Sequence, residues 1–143
     1  MSIITPNEGE RNILGRALGK VAANTLVCRL FNSNTTPSAT TVWADLTECD
    51  FSGYASVNIT WTAIVTNGSG RAESTGSVCT FIRDGTDPGT NNTAYGWCIT
   101  SINDAEANAI QIIAIERFGS SEDFSTFFKQ LIITPKMNEF SEF

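Results

Sequence analysis

Histidine is absent from this chain of 143 residues. With it goes the side chain whose ordinary pKa lies nearest neutrality, and so the usual centre of Ser-His-Asp triads, general-base proton transfer and zinc binding. No Gly-x-Ser-x-Gly elbow is present to suggest a hydrolase nucleophile. The four cysteines, Cys28, Cys49, Cys79 and Cys98, stand singly with no Cys-x-x-Cys pair, which argues against a zinc or dithiol redox centre. Positive charge is scarce: 9 Lys plus Arg face 15 Asp plus Glu, a formal net charge of −6. Such a field repels nucleic acid, and no nucleic-acid partner is expected. No apolar run approaches the ~20 residues that cross a bilayer, so no membrane span is expected either. The opening MSIITPNEGE lacks a basic region and an apolar core. The expectation is therefore a chain without a secretory leader, whose thiols are reduced and mostly buried.

What is plentiful is Thr, Ser and Asn, in a chain that is 41% hydrophobic and only 17% charged. Hydroxyl- and amide-rich surfaces suit β-structure and wet contacts between subunits. The length is one domain's worth, enough to take about two-thirds of the unfolded surface out of water. We read residues 1-143 as a single domain: an N-terminal segment 1-24 with a helix over about 6-22, a β-domain 25-136, and an arm 137-143. At the start, Thr5, Pro6 and Glu8 have the spacing of a capping box with proline in the first turn. Ile13, Leu14, Ala17, Leu18 and Val21 then make one apolar stripe, which the pattern predicts to be the buried face. Gly15 and Gly19 suggest a second backbone coming close.

After Asn24 the period changes from helical to alternating. Strands are predicted at 25-31, 41-44, 56-65, 77-83, 93-102, 109-118 and 127-134, with Asn67-Gly68, Asp84-Gly85 and Pro88-Gly89 marking turns between them. In 56-65, Val57, Ile59, Trp61, Ala63 and Val65 define one apolar face, and in 93-102 Tyr95, Trp97 and Ile99 define another, with Gly96 placed for a bulge. Short strands at this spacing predict a mainly β fold, a β-sandwich or jelly-roll-like domain with an N-terminal α-helix. After Pro135, Phe140 and Phe143 sit on a tether with nothing local to pack against.

Candidate chemistry is thin. Asp45, Glu48 and Asp50 are hard oxygen ligands close together, but they lack the glycine turn and terminal glutamate of a calcium loop, so the cluster reads as structural and no metal is expected. A glycosidase pair can be drawn from Glu48, Asp50 and Glu116, yet nothing in their spacing requires it. Glu116-Arg117 reads as half of an ion pair with Arg29 or Asp45. Trp43, Trp61, Trp97, Tyr54 and Tyr95 can serve as a sugar-stacking platform, although core and subunit contacts are the simpler use. No catalytic residue and no cofactor is expected. Phe51 and Tyr54 flank Ser52-Gly53, and we assign Phe51, Gly53 and Tyr54 a folding role, the glycine supplying a conformation that a side chain hinders.

The stretch LVCRLFNSNTTP followed by TTVWADLTECDFSGYA resembles a family of small tailed-phage virion proteins related to capsid cement or decoration proteins. The resemblance is carried by Arg29 to Asn32, Thr36, Pro37, Ala44 to Glu48 and Phe51 to Ala55, and extends to Pro6 to Glu10, Tyr95-Gly96, Glu116 to Phe118 and Ile133 to Pro135. It is thin between about residues 62 and 93. It implies a non-enzymatic structural protein, made in the host cytoplasm and carried on the outer surface of the capsid. The implied partners are the major capsid protein and two further copies in a homotrimer. Leu14, Leu18, Phe140 and Phe143 are then the proposed subunit or capsid contacts. The alternative is a tail or fibre-associated module that recognises a host receptor or glycan through loops.

Overall fold

Strands β6 (Thr93–Asn103) and β7 (Ala109–Asp123) form the longest hairpin, turned by a short 3-10 helix at Asp104–Glu106 and by Ala107 and Asn108, both at positive φ. The structure is a computed structural model and describes residues 3–126 and 128–138. β1 (Val27–Phe31) adds antiparallel to β6, and β2 (Val57–Asn58) to β1, giving a four-stranded sheet in the order β2-β1-β6-β7. Two smaller antiparallel sheets complete the fold. One orders β3 (Val65–Thr66), β4 (Ala72–Thr75) and β9 (Lys136–Asn138), and the other pairs β5 (Cys79–Ile82) with β8 (Gln130–Ile133). The fold is mainly β and sandwich-like, with α1 (Asn7–Ala17) at its N-terminal side.

The main core lies between the large sheet and β5-β8. Cys28 and Leu30 of β1, Trp97 and Ile99 of β6 and Ala114 of β7 pack with Cys79 and Phe81 of β5, Ile133 of β8, and Phe51, Ile59 and Phe124 from connecting segments. A smaller cluster of Phe31, Cys98, Ile112 and Ile115 fills the other face, under Ile4, Trp43, Leu46 and Tyr95. Irregularities in the β6-β7 ladder decide who faces which way. The register runs from Ile99↔Ala114 to Thr100↔Ile112, so Ile113 is an extra residue. That is why Ile112 and Ile115, of opposite parity, share a cluster. A second irregularity between Ala94 and Gly96 puts Tyr95 in the smaller cluster, away from Trp97 and Ile99, which corrects the face predicted for that strand. Gly96 is required where it stands: a Cβ there would lie 2.4 Å from the Phe31 ring.

Several predicted elements differ. The strand expected at 41-44 is a 3-10 turn, Trp43–Asp45, and 56-65 is broken into β2, an isolated bridge from Trp61 to Gly76, and β3. β4 lies where no strand was expected, and β7 runs to Asp123 through a segment read as loop. The supposed arm begins as β9, paired through Met137 and Asn138 to Ser74 and Glu73. The helix ends at Ala17 rather than near residue 22, because Gly19 adopts φ 65° and its N–H turns back to the Arg16 carbonyl.

Candidate functional site

The N-terminal segment docks on a strand edge, and this inverts the predicted helix. β7 is the outer strand of the large sheet, with backbone groups facing away from β6. Ile4 pairs with Ile115 in both directions at 2.8 Å, and one turn into α1 the Glu8 carboxylate accepts the Ile112 N–H at 2.6 Å. The same oxygen accepts the Trp43 N–H at 3.2 Å, tying helix, edge and 3-10 turn together. Gly9 lets the helix touch the strand: a Cβ there would lie 2.5 Å from the Ile112 carbonyl and 2.9 Å from Ile113 Cα. Asn12 donates to Gln111 at 2.9 Å, and Gln111 in turn accepts from Asn103 and donates to Glu106. Arg16 extends the network through Asn12, the Asn24 carbonyl and Ser101.

The buried helix face is thus Glu8, Gly9 and Asn12, since a strand edge offers amides and carbonyls and is met by polar groups. There is no capping box: the helix begins after Pro6 with no side-chain cap, and Glu8 is spent on β7. Burial pushes the Glu8 carboxyl above its ordinary value, against the two backbone donors that lower it. Of the predicted apolar stripe only Val21 is buried; its side chain, rather than the second backbone expected at Gly15 and Gly19, lies against Gly15, and nothing would lie within 4 Å of a Cβ on Gly19. Ile13 is 44% exposed, Leu14 59% and Leu18 64%. Leu14 and Leu18 therefore stand on an open ridge, while Phe140 and Phe143 lie outside the described residues.

Phe51, Gly53 and Tyr54 are placed in the main core and its rim. Phe51 stacks on Phe124 at 4.1 Å and meets Tyr54 edge-on at 5.3 Å, and Tyr54 stacks on Phe81 at 5.8 Å. The Tyr54 hydroxyl donates to Glu48 at 2.7 Å and accepts the Leu30 N–H at 3.1 Å. Glu48 bonds Arg29 at 2.9 Å, and Arg29 also donates to Thr100 and lies 5.3 Å over the Trp43 ring. Gly53 has φ 87°, and a Cβ there would lie 2.4 Å from Asp84 Oδ1 and 2.6 Å from the Ile82 carbonyl.

The carboxylates named from sequence are not brought together. Glu48 serves Arg29 and Tyr54, Asp50 accepts the Asn91 N–H at 2.7 Å, and Glu116 accepts the Trp97 indole N–H at 3.1 Å. Arg117 is not paired with Asp45: it bonds the Thr35 carbonyl and Asn34, and lies 5.6 Å over Tyr95. Among the described residues there is no group of three metal-ligating side chains. All four cysteines are free and buried, and burial raises each thiol, Cys49 to about 12. An open cavity of about 320 Å³ lies beside Val27, Arg29, Asn58, Thr100 and Ile102, but its guanidinium is already engaged.

Sequence reasoning missed a second open apolar surface. Ile82 is 39% exposed and Ile132 58%, both on the side of β5-β8 away from the core, and Val78, just before β5 with the same parity as Ile82, is 57% exposed. Its signal was the run Val78-Cys79-Thr80-Phe81-Ile82, which carries apolar residues at both parities with Thr80 as the single polar position, close to the pattern of a strand covered on two faces. No protein-family model, no curated protein and no solved structure matches the chain.

Proposed function

We propose that this protein is a non-enzymatic structural component of a tailed-phage particle, a cement or decoration protein bound between major capsid subunits on the outer surface of the head, and a homotrimer. The observation that carries the reading is the arrangement of α1. Its polar side is fastened to β7 and its apolar side, Ile13, Leu14 and Leu18, faces outward. An apolar ridge on a firmly held helix is suited to contact with another surface. Carboxylates near the core are spent on structure, through Arg29-Glu48-Tyr54, Asp50-Asn91 and Trp97-Glu116. The resemblance over 26-55 supplies the setting, and repetition of a modest contact over a shell supplies the strength.

The test is the composition of purified particles and the reattachment of the protein to stripped heads. We expect a fixed ratio to the major capsid protein, and heads that withstand heat better once the protein is restored. A few copies per particle, located on the tail, would overturn the reading in favour of a receptor-binding module.

A further inference from the structure

Among the described residues, two of the exposed apolar surfaces are of unlike shape and do not cover each other. One is the helix ridge of Ile13, Leu14 and Leu18, and the other is the outer face of β5-β8, Val78, Ile82 and Ile132. Within the chain α1 packs against β7, so the ridge points away from its own fold. The sheet face is uncharged throughout: Thr80 pairs with Ile132 and Ile82 with Gln130, which fills the outward positions with β-branched and amide side chains. Solvent faces of antiparallel sheets ordinarily carry polar residues, and a two-stranded sheet is covered on both sides when a helix layer lies over it. Among the described residues no helix layer lies over this face, and the ridge of α1 is likewise left bare.

We infer that α1 of one copy docks its Ile13-Leu14-Leu18 ridge on the Val78-Ile82-Ile132 face of the next copy. The occupant is a second copy because the complementary surface is on the chain itself, and because copies that each carry a net charge of −6 approach most readily through an uncharged patch. The contact is head-to-tail, since the two surfaces differ, and a head-to-tail contact that repeats with a threefold rotation closes into the ring of the trimer reading. Each patch offers roughly 300 Å² of apolar surface, short of the ~800 Å² that each partner buries in a stable pair. One contact alone is therefore weak, whereas in a closed ring every copy uses both patches. This rests on the trimer reading above and names its interface.

The experiment is sedimentation of the isolated full chain, which asks nothing of the capsid. A helix variant, Leu14→Glu with Leu18→Glu, and a sheet variant, Ile132→Lys with Val78→Lys, are each expected to associate at least about 30-fold more weakly than wild type and to keep its circular dichroism. Mixed together they retain one intact ridge and one intact face between them, so weak 1:1 pairing at high concentration and no closed ring are expected. A Leu14→Cys, Ile132→Cys double variant is expected to give covalent rings under mild oxidation, against no cross-link in either single variant. A trimer that survives both charged variants would overturn this contact and leave the trimer standing. A wild-type chain that sediments as a monomer would overturn both, and a sheet variant that still assembles through its helix would replace the contact with a symmetric helix pair.

Discussion

α1 and the Glu48 to Tyr54 segment each anchor a carboxylate, Glu8 buried and Glu48 partly exposed, and they do so against opposite kinds of surface. Glu8 faces the outer edge of β7, where the groups to be satisfied are backbone amides, and it brings only polar and small neighbours, Gly9 and Asn12, with it. Glu48 sits at the rim of a side-chain core, where Arg29 and Tyr54 hold its oxygens while Phe51 and Phe81 fill the space behind. A helix against a sheet face hides its apolar stripe, whereas a helix against a sheet edge hides polar residues and leaves the stripe outside. The comparison predicts that each region fails by a different kind of substitution.

The largest effect is expected at Phe51, fully enclosed and stacked on Phe124. Phe51→Ala removes a ring from a packed interior and should cost about 3–5 kcal/mol in denaturant unfolding. Next comes Gly9→Val, which introduces a branched side chain where strand backbone stands 2.5 Å away. Neither backbone can yield cheaply, so we expect a loss of about 2–3 kcal/mol. Hydrogen exchange should locate the damage, with the Ile112 and Ile115 amides losing protection before those of β1. Equal protection across the sheet would mean that the helix does not guard that edge.

The contrast also explains what the sequence could and could not reveal. The apolar runs in 25-31, 93-102 and 109-118 exposed three strands of the large sheet because side chains cover both of their faces. The helix stripe was equally visible, but periodicity says nothing about whether a helix meets a sheet's face or its edge. The signal for an edge lay in Glu8, Gly9 and Asn12, a small and polar stripe whose meaning depends on β7 being outermost, which is a fact of topology. β4 escaped, and β2 and β3 were read as one strand over 56-65, for another reason: strands of two to four residues, and isolated bridges such as Trp61 to Gly76, carry too few positions for a period to show. In the 48-54 segment Phe51 and Gly53 were legible locally, whereas the Glu48 pairing with Arg29 spans 19 positions.

A smaller effect is expected at Glu8, and its sign is unusual for a carboxylate. Burial raises its pKa in the folded chain above the ordinary 4.5, so the folded state holds this proton more tightly than the unfolded state does. Glu8 therefore contributes most favourably below about 4.5, and that contribution is lost as pH rises through the higher folded value. Asp123, held below its ordinary 3.8 by the Ser125 N–H and hydroxyl, runs the other way and acts at lower pH. Glu8→Gln keeps an oxygen for Ile112 and Trp43 without the buried charge. We expect its stability at neutral pH to lie within about 1 kcal/mol of wild type, and the rise of stability on acidification toward pH 4.5 to disappear. An unchanged pH profile would show that Glu8 does not titrate in that window.

The smallest effect is the most discriminating. In a helix packed on a sheet face, replacing a stripe leucine by glutamine would cost the several kcal/mol of a core truncation. Leu14 and Leu18 are more than half exposed, and the hydrogen bonds that hold α1 come from Glu8, Asn12 and Arg16 instead. At concentrations low enough to keep the chains apart, Leu14→Gln and Leu18→Gln should each change unfolding free energy by no more than about 0.5 kcal/mol. Glutamine is as good a helix former as leucine, so propensity adds little. The same variants at high concentration should lose whatever stability assembly adds, because the ridge is then at a contact. A large loss in the dilute, separated chain would place these leucines inside the fold and remove the distinction between a helix held by its polar edge and one held by its apolar face.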